Sequence, residues 1–102
     1  MAAAPQRDPL VPQIYRVGGV RRELSDTVTL NLVPLAGSRP AFEPGQFNML
    51  YAFGIGEVAI SVSGSRMDET AFVHTVRDVG AVSGAIAKLE VGARVGVRPP
   101  RA

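Results

Sequence analysis

The chain has 102 residues, 46% of them apolar and 20% charged, which suffices for one domain around one buried core and excludes both a second folded unit and a disordered chain. It has no cysteine and a single histidine, His74, so disulfides, cysteine-ligated clusters or zinc, a thiol nucleophile and a multi-histidine metal site are all excluded. The net charge is only +2 and the basic residues are scattered apart from Arg21-Arg22, so nucleic-acid binding is not expected.

No window approaches the roughly 18 apolar residues of a membrane span, and the N-terminus carries no stretch fit for a signal peptide, so no membrane insertion and a cytoplasmic location are expected. Residues 1–12 carry three prolines and are expected to form a flexible N-terminal tail, with the folded domain over 13–102. From Ile14 to Leu24 the sequence predicts a first strand, bulged or bent at Gly18-Gly19. Ser25-Asp26 is a turn signal. Thr27 to Leu32 then alternates polar with apolar residues, as a half-buried strand does. The glycines and prolines from Ala36 to Gly45 predict a loop. Phe47 to Phe53 is apolar nearly throughout, with Asn48 the exception, and reads as a central strand covered on both faces.

Val58 to Ser63 predicts a fourth strand, with Ile60 and Val62 on one face and the small residues Ala59, Ser61 and Ser63 on the other. After a polar turn over 64–69, Ala71 to Arg77 is rich in β-branched and aromatic residues and predicts a fifth. Val82 to Leu89 is the one stretch with helical spacing; it places Val82, Ile86 and Leu89 on one stripe, with Ser83 as N-cap and Gly92 just past the end. Arg94 to Arg98 alternates again until Pro99-Pro100 stops it. The expected fold is therefore all-β, a six-stranded antiparallel Greek-key barrel with one short helix.

Three features bear on chemistry. The step from Gly80 through Ser83 into the helix presents free amides and a positive dipole end, which suits a phosphate, although a glycine before a capped helix also serves as plain punctuation. The face formed by Ala59, Ser61 and Ser63 lets a flat ligand lie against backbone; an exposed strand surface has the same composition. His74 and Arg77, three apart on one strand, point to opposite faces: the histidine reads as a structural residue with no nucleophile to assist, and the arginine is placed to reach a phosphate.

In order and spacing, the blocks Phe42 to Phe47 with its Pro-Gly-Gln-Phe turn, Gly56 to Ser63, His74 to Ser83 and Leu89 to Arg98 resemble the FAD-binding barrel of the ferredoxin reductase-like superfamily, whose fold is related to that of riboflavin synthase. The resemblance is closest to the gamma subunit of nickel–iron hydrogenases and sulfhydrogenases and to the electron-transfer subunit of dihydroorotate dehydrogenase. It implies FAD as cofactor. It implies that the family's Arg-Pro-aliphatic-Ser strand falls on Val58, Ala59, Ile60 and Ser61, with Ser61 at the isoalloxazine edge. The segment along the flavin and ribityl chain falls on Thr75, Val76 and Arg77, and the pyrophosphate turn on Gly80, Val82 and Ser83. Two positions depart from the pattern: Val58 stands where the family has arginine, and Pro99-Pro100-Arg101-Ala102 stands where it has Gly-Pro-Phe-Gly.

The function expected is that of the flavin domain of an NAD(P)H:acceptor electron-transfer reductase, acting as a fragment or separate piece that is not catalytically competent alone. Its expected partners are other subunits of a redox complex or a separate NAD(P)-binding domain. The alternative is a cofactor-free barrel that serves as a protein-interaction module.

Overall fold

The strands fall where alternation and β-branched content place them: β1 over Gln13–Leu24, β2 over Thr27–Pro34, β3 over Phe47–Ala52, β4 over Gly56–Ser61, β5 over Phe72–Arg77 and β6 over Arg94–Arg98, with one helix, α1, over Ala81–Ala87. The computed structural model describes residues 11–37, 45–63 and 71–98. The expected tail before residue 11, most of the loop over 36–45 including the Phe42 to Pro44 part of the resemblance, the turn over 64–69 and the Pro99-Pro100 stop lie outside them.

All pairings are antiparallel, in the sheet order β4-β3-β6-β1-β2-β5. The two ends of this order meet at a bridge between Val62 and His74, reinforced by Ser63 N–H donating to the Val73 carbonyl at 2.8 Å, so the sheet curls into a barrel. Closure leaves few unpaired edges, which such short strands would otherwise present to solvent. The bulge expected at Gly18-Gly19 is present as a register shift between Val17 and Gly19. It bends the long strand β1 between its two partners.

Inward-facing residues from five of the six strands build the core: Tyr15 and Val17 of β1, Val28, Leu30 and Leu32 of β2, Leu50 of β3, Phe72 and Val76 of β5, and Val95 and Val97 of β6, with Ile86 of α1 among them; β4 adds only the partly buried Val58 and Ile60. Tyr15 and Phe72 stack with ring centroids 5.8 Å apart. Burying large apolar side chains contributes on the order of 1.5–3 kcal/mol each, the principal stabilising term in a domain of this size.

Two expectations are corrected. β3 is not covered on both faces: Asn48, Leu50 and Ala52 point inward while Phe47, Met49 and Tyr51 occupy a partly exposed outer face. Strong apolarity misled because the outer residues of β3 are themselves large and apolar, so the period of two is invisible in hydropathy. The helix also begins earlier than predicted. Gly80 is its N-cap, and Ser83 lies inside it, buried, with its hydroxyl accepting from the Val79 N–H at 3.1 Å and facing the Gly80 carbonyl. The C-cap is Lys88, so Leu89 lies past the helix; Gly92, with φ of 93°, forms the turn into β6. Among the described residues, no helix is long and apolar enough to cross a membrane.

Candidate functional site

The wall of the barrel is weakest where β4 meets β5. β4 pairs along its length with β3, and β5 with β2, but the two face each other only through the Val62–His74 bridge and its neighbours. Below that bridge their facing edges run on with no ladder between them, and α1 packs beneath, touching both strands. Unpaired strand edges carry a row of amide donors and carbonyl acceptors. Here they line a seam at the barrel wall.

The top of the seam is pinned from inside. His74 is fully buried, its Nδ1 donating to the Ser61 carbonyl at 3.0 Å while Asn48 Nδ2 donates to its Nε2 at 3.2 Å. Both ring nitrogens are satisfied by neutral imidazole, and burial pushes its pKa down to about 4. The expectation that His74 is structural therefore agrees with its surroundings.

The predicted site residues divide between two faces of this seam. Ala59, Ser61, Thr75 and Arg77 are exposed on the outer face, where Ser63 and Thr75 hydroxyls lie 3.2 Å apart and Thr75 meets Thr29 at 3.0 Å. Thr29 in turn donates to Glu23 at 2.8 Å, and Arg21 donates to the same carboxylate oxygen at 2.7 Å. Together they hold the Glu23 carboxyl below its usual pKa. Val58 and Ile60 point the other way, half-buried against the core together with Val82 of α1. Val76 is wholly buried, so it meets the seam only through its backbone.

At the lower end, Arg77 Nε donates to Asp26 Oδ2 at 3.0 Å, which ties β5 to the β1–β2 turn and lowers the Asp26 pKa. Gly80 opens α1 with no side-chain cap and no acidic residue in the first turn. The first helical bond runs from Gly84 N–H to the Gly80 carbonyl at 2.8 Å, so the amides of residues 81 to 83 have no protein acceptor among the described residues. Sequence reading missed Asn48 and Asp26. Asn48 had a signal, being the one polar residue in an apolar strand; Asp26 read only as a turn residue.

No family model matches the chain. It is similar to sulfhydrogenase 1 subunit gamma of Pyrococcus furiosus, with 37% identity over 67 residues, which amount to 66% of this chain and 23% of that protein. The chain thus spans less than a quarter of that relative's length. Among solved structures it superposes on an intact type IV self-sufficient cytochrome P450 monooxygenase with a TM-score of 0.76 and 21% identity, over 98% of this chain and 14% of the other. It superposes on the cytochrome b5 reductase domain of Ulva prolifera nitrate reductase with a TM-score of 0.74 and 16% identity, over 96% of this chain and 43% of the other. The six-stranded antiparallel barrel expected from the sequence is the fold shared with these two structures, and the likeness to a sulfhydrogenase gamma subunit holds at the level of sequence.

Proposed function

We propose that this barrel binds FAD along the β4–β5 seam and serves as the flavin domain of an electron-transfer reductase of the hydrogenase gamma-subunit kind. The observation that carries the reading is the seam itself: two strand edges that share no ladder among the described residues below the Val62–His74 bridge, parted over an uncapped helix start that has no acidic residue in its first turn. These groups fit the cofactor. Edge amides and carbonyls suit the polar rim of an isoalloxazine ring, and the amides of residues 81 to 83 suit a pyrophosphate. The similarity to a sulfhydrogenase gamma subunit supports the same reading.

Bound flavin supplies hydride acceptance and one-electron release, chemistry that no side chain here provides. The chain's own contribution is placement. Ser61, held through its carbonyl by His74, offers a hydroxyl at the outer face; Val58 and Ile60 close the inner side against water; Gly80, Val82 and Ser83 form the turn for the phosphates. Arg77, near the lower end of the seam, is the side chain proposed to neutralise phosphate charge in place of the arginine missing at Val58. The partners proposed are a nicotinamide-binding domain and other subunits of a redox complex.

Titration of the protein with FAD tests this. Saturable quenching of flavin fluorescence, with FMN binding more weakly for want of the second phosphate and adenosine, is the expected result. Unchanged spectra with folded protein at high micromolar concentration would transfer the assignment to a cofactor-free interaction module, the reading that Val58 and the Asp26-bound state of Arg77 favour.

A further inference from the structure

A second break in the barrel wall lies opposite the first in the strand order, between β6 and β1. β6 pairs with β1 only from Gln13 to Arg16. Val17 then bonds the chain entering β6, its N–H donating to Ala93 and its carbonyl accepting from Gly92, both at 2.8 Å. Beyond this point β1 continues to Leu24, paired with β2 alone. Along the stretch between its two bulges, from Gly19 to Arg22, the side turned away from β2 has no backbone partner among the described residues.

Beside this edge runs a groove of about 340 Å³, with Val20 and Arg22 on one wall and Lys88, Leu89, Glu90 and Val91 on the other. Its rim is apolar at Val20 and Val91, both exposed, and basic at Arg22 and at Lys88, whose ammonium lies 3.9 Å from the Asp78 carboxylate; Glu90 is the one acid in the lining. At the last β1–β6 rung Arg16 and Arg94 stand directly across from each other, both exposed and neither bonded to an acidic group among the described residues. Like charges directly opposite in a ladder are destabilising until an anion joins them.

We propose that this edge is a docking site for an extended, acidic segment of a partner protein, added to β1 as a further strand. Backbone groups on β1 supply the ladder, the groove takes apolar side chains against Val20, Leu89 and Val91, Arg22 receives a carboxylate, and Lys88 exchanges its long, exposed contact with Asp78 for another. A second copy of this chain does not fit, because edge-to-edge pairing would bring Arg21-Arg22 of one copy against the same residues of the other. A docked strand would leave the β4–β5 seam open, so the proposal stands independently of the flavin reading.

The test uses a fluorescein-labelled, end-capped peptide of alternating glutamate and valine, read by anisotropy against the full chain. Saturable binding is expected, weakening with added salt and weakening by about tenfold in an Arg22→Glu, Lys88→Glu double variant whose thermal melt matches the parent. The same peptide N-methylated along its backbone should not bind. Equal binding by a lysine–valine peptide, by the N-methylated peptide or to the double variant would overturn the proposal. So would tighter binding of a single-stranded oligonucleotide of matched charge, or concentration-dependent self-association in sedimentation that Arg22→Glu abolishes.

Discussion

The His74 Nδ1–H reaches across the barrel's weakest junction to the Ser61 carbonyl at 3.0 Å, so a buried imidazole fixes the residue proposed to meet the flavin edge. The bond is made by neutral histidine, whose Nε2 must remain unprotonated to accept from Asn48. Protonation would set a buried donor against a donor and leave a charge in the core.

Acid sensitivity follows. Burial lowers the His74 pKa from 6.5 to about 4, so the unfolded chain binds the proton more readily than the folded one. Stability from this source is complete above pH 6.5, falls as the pH drops from there to about 4, and is level below that. The full loss is about 3 kcal/mol. Urea unfolding should therefore weaken between pH 7 and pH 5, ahead of the arginine-paired carboxylates Glu23 with Arg21, Asp26 with Arg77 and Glu57 with Arg98, whose lowered pKa values confine their losses to more acid conditions. His74→Gln should be less stable at neutral pH and nearly flat over that interval. An unaltered pH slope in the variant would refute the assignment.

For Arg77, the discriminating ligand is riboflavin, which lacks phosphate. Arg77→Gln should weaken FAD by about tenfold while leaving riboflavin unchanged, the scale expected for one charge-assisted phosphate contact. Asp26→Asn frees the guanidinium from its present partner and should leave FAD binding as tight or tighter. Parallel losses for both ligands in Arg77→Gln would show that the residue acts through the β1–β2 turn rather than on the cofactor.

Ser61 offers a different readout. Ser61→Ala keeps the backbone carbonyl that His74 holds and removes only an exposed hydroxyl, so FAD affinity should change less than about twofold. The reduction potential of the bound flavin should move, because the hydroxyl is proposed to lie beside the ring nitrogen that gains a proton on reduction. A potential identical to that of the parent protein would place Ser61 away from the ring.

Much of this architecture was legible in sequence. All six strands, the bulge at Gly18-Gly19 and the opposite placement of His74 and Arg77 followed from periodicity and glycine, because alternation reports directly which face is buried. The two faces of β4 were legible for the same reason. What was hidden depends on long-range partners: that Asn48 turns inward to serve His74, that Asp26 takes Arg77, and that Ser83 is consumed by Val79 rather than capping α1. A hydroxyl residue near a helix start signals a cap, but its exact position was set by Gly80, whose extended backbone already serves as N-cap.

Two buried glycines should respond unequally to the same added methyl group. At Gly96 in β6, a Cβ would lie 2.8 Å from the Pro12 Cβ and 3.0 Å from the Tyr51 Cβ, both close to their own backbones and unable to withdraw without moving β1 or β3. Gly96→Ala should cost about 1–3 kcal/mol in urea unfolding, the usual scale of overpacking. At Gly84, inside α1, the Cβ would lie 2.6 Å from Asp78 Oδ1, the tip of an exposed side chain whose one ion pair, to Lys88, is long at 3.9 Å and gives way when the carboxylate rotates. Replacing a helical glycine by alanine gains about 1 kcal/mol in helix propensity, which offsets the lost Asp78 position. Gly84→Ala should therefore lie within about 1 kcal/mol of the parent. A Gly96→Ala variant as stable as Gly84→Ala would mean that β1, β6 and β3 do not approach as closely as this register requires.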